Sequence, residues 1–240
     1  MFNEKIVAHV YVISHRRPQN VSRVQTLVDG QLSWIVGDEK DKADYGENAI
    51  IGGKLTPSRN LALIRAFKDG KPCIQISDDP KKFKQVLFME DGSKQVRDIS
   101  FVEAAKLMLD RLKDSPFKLA GIAPTANPYF SNRSISTRHF VIGDFICVMP
   151  SEIRFDQAMT LKEDYDFTLQ HIRNHGGVIR NDDILCEFEH YKNAGGAVSI
   201  RNTAEEQKNI SHLKQKWGRV IADNAKRPNE ILLKIPKSAF

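Results

Sequence analysis

The alternation of short, β-rich apolar runs with amphipathic stretches constrains the fold of this chain most. Residues 6–13 and 73–76 are apolar runs that end in polar turns, and they predict buried strands. Residues 57–70 and 101–112 have apolar residues at helical spacing and predict helices. Strands that alternate with helices favour an α/β sandwich with a mostly parallel sheet, in which ligands bind at the carboxyl ends of the strands.

Other segments fit the same architecture. Residues 32–36, 178–180 and 184–188 predict further strands, and residues 21–28, 163–175 and 204–224 predict further helices. The expected apolar face of the helix at 57–70 consists of Leu61, Leu63, Ile64 and Phe67. Residues 38–48 are charged and nearly free of apolar side chains, which predicts a surface excursion. We expect a core at residues 1–200 and a basic helical segment at 201–240 that packs on it.

Length and composition limit the class of protein. The chain has 240 residues, of which 41% are hydrophobic, enough for a continuous core and too many for a disordered chain. It contains no apolar run near the roughly 18 residues of a membrane helix, and its start carries Glu4, Lys5 and His9 in place of a signal-peptide core. We expect a cytoplasmic protein with no membrane partner and no obligate protein partner. Three widely spaced cysteines are expected to be buried free thiols.

Positive charge is concentrated at the C-terminal end. Lys and Arg exceed Asp and Glu by 36 − 30 = 6, and residues 201–240 hold nine basic and four acidic residues, an excess of 5. Such a bias fits an anionic partner, either nucleic acid or a phosphorylated ligand. A solvated basic surface is the competing interpretation.

An acidic pair, Asp78-Asp79, follows the strand predicted at 73–76. Paired carboxylates at a strand end are a natural site for Mg²⁺ or Mn²⁺, which prefer carboxylate oxygens and can bridge a diphosphate. The alternative is a solvent-exposed turn, for which Asp-Asp-Pro is well suited. His190, after the strand predicted at 184–188, could be a further metal ligand or a surface residue.

A second acidic cluster, Glu163-Asp164-Tyr165-Asp166, begins a predicted helix. The carboxylates could offset the helix dipole, or one of them could be a general base. Three arginines, Arg16, Arg17 and Arg59, could grip phosphates with paired hydrogen bonds or form ordinary surface ion pairs. A P-loop is excluded, because Gly53-Lys54 is followed by Leu55 and not by Ser or Thr.

Taken in order, these segments resemble the GT-A-fold glycosyltransferases. The resemblance covers roughly residues 5–196, and its motifs are Ser14-His15-Arg16-Arg17, Leu55-Thr56-Pro57-Ser58-Arg59-Asn60, Ser77-Asp78-Asp79, Glu163-Asp164-Tyr165-Asp166-Phe167 and His190. Within that fold, residues 163–170, 176–180 and 193–196 are most similar to compact phage glycosyltransferases of hypermodified DNA bases. The acidic strand end departs from a full Asp-x-Asp motif, since Ser77 stands at its first position.

The resemblance implies a GT-A-type, Rossmann-like sandwich. It also implies transfer of arabinose or glucose from a UDP-sugar to the hydroxyl of 5-hydroxymethylcytosine, or of a related pyrimidine in phage DNA, inside an infected bacterial cell. The nucleotide sugar would contact Ser14, Arg16, Arg17, Arg59, Asn60 and Asp78. Asp79 and His190 would hold Mn²⁺ or Mg²⁺.

The same resemblance selects a general base, and for a DNA acceptor the positive excess of the C-terminal segment would supply the phosphate contacts. Asp164 is the expected base, because the second acidic position of such a helix start commonly faces the acceptor in inverting relatives; Glu163 and Asp166 are the competing positions. Phosphates of the DNA acceptor would contact Lys214, Lys216 and Arg219.

Two rival functions remain at this stage. A glycosyltransferase of the same fold could act on a polysaccharide or a protein, and it would keep the donor-site residues without depending on DNA. A non-catalytic DNA-binding module would need only the basic C-terminal segment, and it would leave Asp78-Asp79, Glu163-Asp164 and His190 without a purpose.

Overall fold

The computed structural model describes residues 7–28, 32–133, 135–189, 201–236 and 239. Twelve strands lie in these ranges: β1 His9–Ile13, β2 Ser33–Val36, β3 Ile50–Ile51, β4 Cys73–Ser77, β5 Pro80–Phe88, β6 Lys94–Ile99, β7 Leu119–Ile122, β8 Phe145–Val148, β9 Ile179–Asn181, β10 Ile184–Phe188, β11 Ile221–Asp223 and β12 Ile231–Leu233. The α-helices of the same ranges are α1 Val21–Leu27, α2 Glu39–Tyr45, α3 Leu55–Lys68, α4 Phe101–Lys113, α5 Glu163–His175 and α6 Thr203–Trp217.

The central sheet has seven strands in the order β3-β2-β1-β4-β8-β7-β9. Neighbouring strands run parallel except that β8 is antiparallel to both β4 and β7. The predicted α/β architecture with a mostly parallel sheet is confirmed. The chain moves outward from β1 through β2 to β3 and then returns to β4 on the other side of β1. This reversal is a topological switch point, and ligands of α/β sheets commonly bind outside the carboxyl ends of the strands at such a point, here β1 and β4.

Helices cover both faces of the central sheet. Successive residues of a strand point to opposite faces. Accordingly Val10 and Val12 of β1 belong to one apolar cluster, together with Met108 of α4. Tyr11 belongs to a second cluster, together with Leu63 of α3 and Phe167 of α5. All three cysteines are buried free thiols, as predicted.

Two smaller sheets complete the fold. β10, β5 and β6 form an antiparallel sheet in that order, and it packs through Phe83 of β5 on Phe101 and Phe145, with ring centroids 5.8 and 5.5 Å away. β11 and β12 form an antiparallel pair. The helix predicted at 204–224 is therefore too long: α6 ends at Trp217, and residues 221–223 pair with β12.

The segment predicted as a surface excursion, 38–48, lies mostly at the surface, but it contains the helix α2, which was not predicted. Asp38 caps α2, accepting a hydrogen bond from the backbone N–H of Asp41 at 3.0 Å. Asp41 and Tyr45 of this helix are buried. The helix was missed because it is anchored by a carboxylate and a phenol and lacks a run of apolar side chains.

Across the described ranges, no helix has the length and the apolar character that crossing a membrane requires.

One core residue makes stability depend on pH. His171 of α5 is fully buried, and its ring lies 4.7 Å from that of Phe167. Burial and, secondarily, the neighbouring His175 lower the pKa of His171 to about 3 from an ordinary value of 6.5. Between these values the unfolded chain binds a proton that the folded protein does not, so lowering the pH through this window destabilises the fold.

Replacing His171 by leucine is expected to reduce this acid sensitivity. Between pH 7 and pH 5 the native protein should lose about 2 kcal/mol more unfolding free energy than His171→Leu, the linkage contribution of one such histidine. Urea denaturation at the two pH values measures the difference. Equal losses would mean that His171 is protonated in the folded state.

Candidate active site

The loops after β1 and β4 meet at the switch point. Arg17 donates a hydrogen bond from Nη1 to Oδ1 of Asp78 at 2.9 Å, and the same nitrogen lies 3.8 Å from Oδ2 of Asp79. Ser14 Oγ donates a further hydrogen bond to Asp78. Four residues selected from the sequence thus lie together at the carboxyl edge of the sheet.

Both carboxylates of this acidic pair are buried. Asp78 and Asp79 are each only 3% exposed, so the interpretation as a solvent-exposed turn is wrong. Burial raises the pKa of Asp78, while Ser14 and Arg17 act in the opposite direction. Burying two adjacent carboxylates is costly unless cations offset their charge. Arg17 supplies one such cation.

A buried carboxylate missed by the sequence analysis shapes the loop after β1. Asp41 accepts hydrogen bonds from His15 Nδ1 at 2.7 Å and from the backbone N–H groups of Arg16 and Gly37 at 3.0 and 3.1 Å. Arg16 adopts the left-handed conformation, with φ of 58°, and its guanidinium pairs with Asp38 and Asp41. Arg16 is therefore held by α2, whereas Arg17 contacts the acidic pair.

Arg59 and Asn60 are buried between elements of the fold. Arg59 donates from Nε to Glu163 at 3.1 Å and from Nη1 to the carbonyl of Gly143 at 3.0 Å. Asn60 exchanges two hydrogen bonds with the backbone of Phe155, at 2.9 and 2.8 Å. These contacts join α3 to the segments that precede β8 and α5. Both residues were predicted to bind the donor, and the contacts found give them a role in positioning α5.

Asp164 lies at the same sheet edge as the acidic pair. Its Oδ2 accepts a hydrogen bond from the backbone N–H of Gly143 at 3.1 Å. The next residue, Asp144, exchanges hydrogen bonds with Ser77: its carbonyl accepts the Ser77 N–H at 2.8 Å, and its carboxylate accepts the Ser77 hydroxyl at 3.2 Å. Ser77 directly precedes the acidic pair, so Gly143 and Asp144 connect it to Asp164. The sequence analysis missed Asp144, because only the pairing of β8 with β4 brings it there.

Asp164 differs from its two competitors in environment. Asp164 is partly exposed, whereas Glu163 and Asp166 are buried. Burial, followed by the nearby charge of Glu163, raises the pKa of Asp164 to about 7. A carboxyl group with this pKa can gain and lose a proton near neutral pH, as a general base must.

Asp166 points away from the sheet edge, towards α6. It is fully buried and accepts hydrogen bonds from Trp217 Nε1 at 2.7 Å, from Lys216 Nζ at 3.1 Å and from Gln170 at 2.7 Å. These contacts give Asp166 a structural role between α5 and α6.

α6 also holds the residues that lead into α5. Asn209 accepts hydrogen bonds from the backbone N–H groups of Thr160 and Leu161, at 3.0 and 3.3 Å. Lys162 has a left-handed backbone, with φ of 58°, and its ammonium lies 2.5 Å from Glu206 and 2.7 Å from the Asn229 carbonyl. Such a conformation costs about 1 kcal/mol or more in a non-glycine residue, so α6 and the segment after it fix the start of α5.

A cleft of about 320 Å³ opens beside these carboxylates. It is lined by residues 123–126, which follow β7, and by Lys81, Ile142, Asp144, Cys186, Glu187 and Phe188. Asp144 of this lining accepts hydrogen bonds from Ser77, the residue before the acidic pair, so the cleft lies next to that pair.

Of the two metal ligands expected from the sequence, only Asp79 lies within the described residues. His190 lies outside the described residues, as does the segment up to 200. Glu189 donates its backbone N–H to the carbonyl of Asp79 at 3.1 Å. Among the described residues, no group of three His, Cys, Asp or Glu side chains is arranged to hold a metal ion.

The three cations expected to bind DNA do not form one free basic cluster. Lys214 pairs with Asp223 at 2.6 Å, and Lys216 pairs with Asp156 at 2.8 Å as well as with Asp166. Arg219 lines an open groove with Lys234 on another part of the segment.

Neither the known protein families nor the curated proteins contain a match to this sequence.

Proposed function

We propose that this protein is a metal-dependent, GT-A-type glycosyltransferase that moves a pentose or hexose from a UDP-sugar to the hydroxyl of 5-hydroxymethylcytosine or a related pyrimidine in DNA. One observation carries the proposal: the buried Asp78-Asp79 pair and the partly exposed Asp164 meet at one edge of the sheet, through Gly143 and Asp144. That edge is the switch point at which α/β sheets bind nucleotides.

The residues around Asp79 suit a divalent cation. Asp79 is the proposed ligand of Mn²⁺ or Mg²⁺, because its carboxylate is buried beside that of Asp78 at this sheet edge and these ions prefer carboxylate oxygens. His190 is the proposed second protein ligand, since the chain reaches it one residue after the contact between Glu189 and Asp79. A bound cation would supply charge that stabilises the leaving diphosphate. Arg17, at the same edge, can add a hydrogen bond to a phosphate oxygen.

Asp164 is the proposed general base. Its carboxylate removes the proton from the acceptor hydroxyl, the oxygen forms a bond to the anomeric carbon, and the bond from that carbon to the diphosphate breaks with its electron pair leaving on the diphosphate. The hydrogen bond from Gly143 orients the carboxylate, and its raised pKa suits proton transfer near neutral pH. Positioned proton transfer of this kind contributes about 10²- to 10⁴-fold in rate.

The basic C-terminal excess supports DNA as the acceptor. Since Lys214 and Lys216 are paired with carboxylates, we expect the groove that holds Arg219 and Lys234 to contribute more to phosphate contacts. A polysaccharide or protein acceptor would leave the donor site unchanged and would give transfer that is independent of DNA.

Asp79→Asn is expected to lower UDP release from a UDP-sugar by roughly 100-fold or more, because loss of a metal ligand removes several kcal/mol of stabilisation from the leaving group. Release is measured with Mn²⁺ and in excess chelator, and thermal unfolding confirms that the variant is folded. Asp110→Asn, at an exposed carboxylate of α4, is the matched control and should keep full activity. Full turnover by the native protein in excess chelator would overturn the metal assignment.

A further inference from the structure

Two aromatic side chains are exposed on a short helical turn beside the cleft. Tyr129 and Phe130 are 78% and 61% exposed, within the 3₁₀ turn Pro128–Phe130. Their rings lie nearly perpendicular, with centroids 5.2 Å apart. Large aromatic groups displayed together on a surface usually mark a binding site.

The backbone that carries these rings is fixed from outside the turn. Lys94 of β6 donates hydrogen bonds from Nζ to the carbonyls of Pro128, Tyr129 and Ser131, at 3.2, 3.0 and 2.9 Å. Asn127 accepts a hydrogen bond from the Tyr129 N–H at 3.0 Å. The two rings are therefore presented to solvent on a restrained turn, where they contribute little to the core.

Two cations, Lys94 and Arg133, lie near the turn that carries the aromatic pair. Arg133 donates to the carbonyls of Phe88 and Met89, at 3.2 and 2.9 Å. Among the described contacts, Arg133 and Lys94 are satisfied by carbonyls, with no carboxylate to neutralise them. The turn between β5 and β6 also carries Glu90 and Asp91, so the surface is mixed in charge, with Lys94 held against the backbone of the aromatic turn. Aromatic rings beside cations suit stacked bases and phosphates.

The turn is adjacent to the cleft along the chain. Residues 124–126 line the cleft, and Tyr129 is three positions after Ala126, a span of at most about 11 Å. An enzyme that modifies a base within a duplex has to extrude that base into its site. Apolar side chains that insert between base steps are a known means of holding DNA in an unstacked form.

We propose that Tyr129 and Phe130 form a wedge that enters the DNA stack and occupies the space left by the target pyrimidine when that base is extruded into the cleft. Arg133 donates to carbonyls through one nitrogen of its guanidinium, and its other N–H groups would contact a flanking phosphate. This inference rests on the proposed function and adds a duplex substrate that is opened by the protein itself.

The test uses a duplex with one 5-hydroxymethylcytosine and 2-aminopurine as its neighbour, whose fluorescence rises when it unstacks. The native protein should raise the fluorescence, and Tyr129→Ala/Phe130→Ala should not. Transfer to this duplex should fall about 10-fold or more in the double variant, in line with the loss of aromatic stacking on a base.

Placing an abasic site opposite the target removes most of the cost of extrusion, so transfer by the double variant should then recover to near the native rate. Ile64→Ala, at a residue 52% exposed on α3, is the control and should behave like the native protein.

Equal losses on the paired and the abasic duplex, or a native rise in fluorescence in the double variant, would overturn the wedge. UDP release without acceptor, measured in parallel, separates the two proposals. UDP release without any fluorescence change in native protein overturns the wedge and leaves a transferase with another acceptor. A fluorescence rise that depends on the two rings, without UDP release from any donor, supports the wedge and contradicts the proposed glycosyltransferase activity.

Discussion

Asp164→Asn is expected to reduce sugar transfer by roughly 10²- to 10⁴-fold, because an amide cannot accept the proton of the attacking hydroxyl. The substitution keeps the size of the side chain and an oxygen that can accept the hydrogen bond from Gly143. Donor binding, measured by calorimetry with a UDP-sugar, should therefore be unchanged, and the loss should fall on the transfer step in single-turnover kinetics.

The pH dependence of transfer provides the check on this assignment. A base must be deprotonated, and the pKa of Asp164 is raised to about 7, so the rate should rise with pH and level off above about 7. Glu163→Gln removes a charge that raises this pKa, which should move the rise to lower pH. Full transfer by Asp164→Asn, or a pH profile that does not move in Glu163→Gln, would assign the base elsewhere.

Asp166→Ala is expected to lower the unfolding free energy by about 1.5–3 kcal/mol, since it leaves the buried indole N–H of Trp217 without its charged acceptor. Asp166 is fully buried and binds both Lys216 and Trp217, so its loss should detach α6 from α5. Urea denaturation measures the effect. Asp223→Ala is the matched control: it removes the partner of Lys214, another lysine of α6, but at a carboxylate that is 78% exposed, and it should cost less than about 1 kcal/mol. Similar losses in the two variants would mean that Asp166 does not anchor α6.

The sheet and the position of the site could be predicted from the sequence because both follow from local pattern. The apolar runs of β1 and β4 are short and end in polar loops. Parallel strands bring such loops to one edge, so the meeting of Arg17 with Asp78 follows from the order of segments.

Contacts between distant segments could not be predicted in this way. Asp144 reaches the site only because β8 pairs with β4, and Asp41 looks like one more surface acid until the loop after β1 closes on it. The apolar face predicted for α3 is wrong at Ile64, whose side chain is 52% exposed. The helix instead buries polar residues such as Arg59 and Asn60, whose hydrogen bonds lie with partners about a hundred residues away in the chain.

The ion pairs of the C-terminal segment also could not be predicted from the sequence. Counting residues shows an excess of lysine and arginine, but it does not show that Lys214 and Lys216 each face a carboxylate. The same helix holds the residues before α5 through Asn209 and Glu206. The segment thus supports the proposed catalytic helix, in addition to any contact with DNA.

The most direct test of the proposed function is mass spectrometry of nucleosides from 5-hydroxymethylcytosine DNA after incubation with the protein, Mn²⁺ and UDP-glucose or UDP-arabinose. The native protein should add one hexosyl or pentosyl unit to the modified cytosine, and Asp164→Asn, matched in concentration and folded by circular dichroism, should add almost none. Unmodified nucleosides with every donor, or equal transfer by the native protein and Asp164→Asn, would contradict the account.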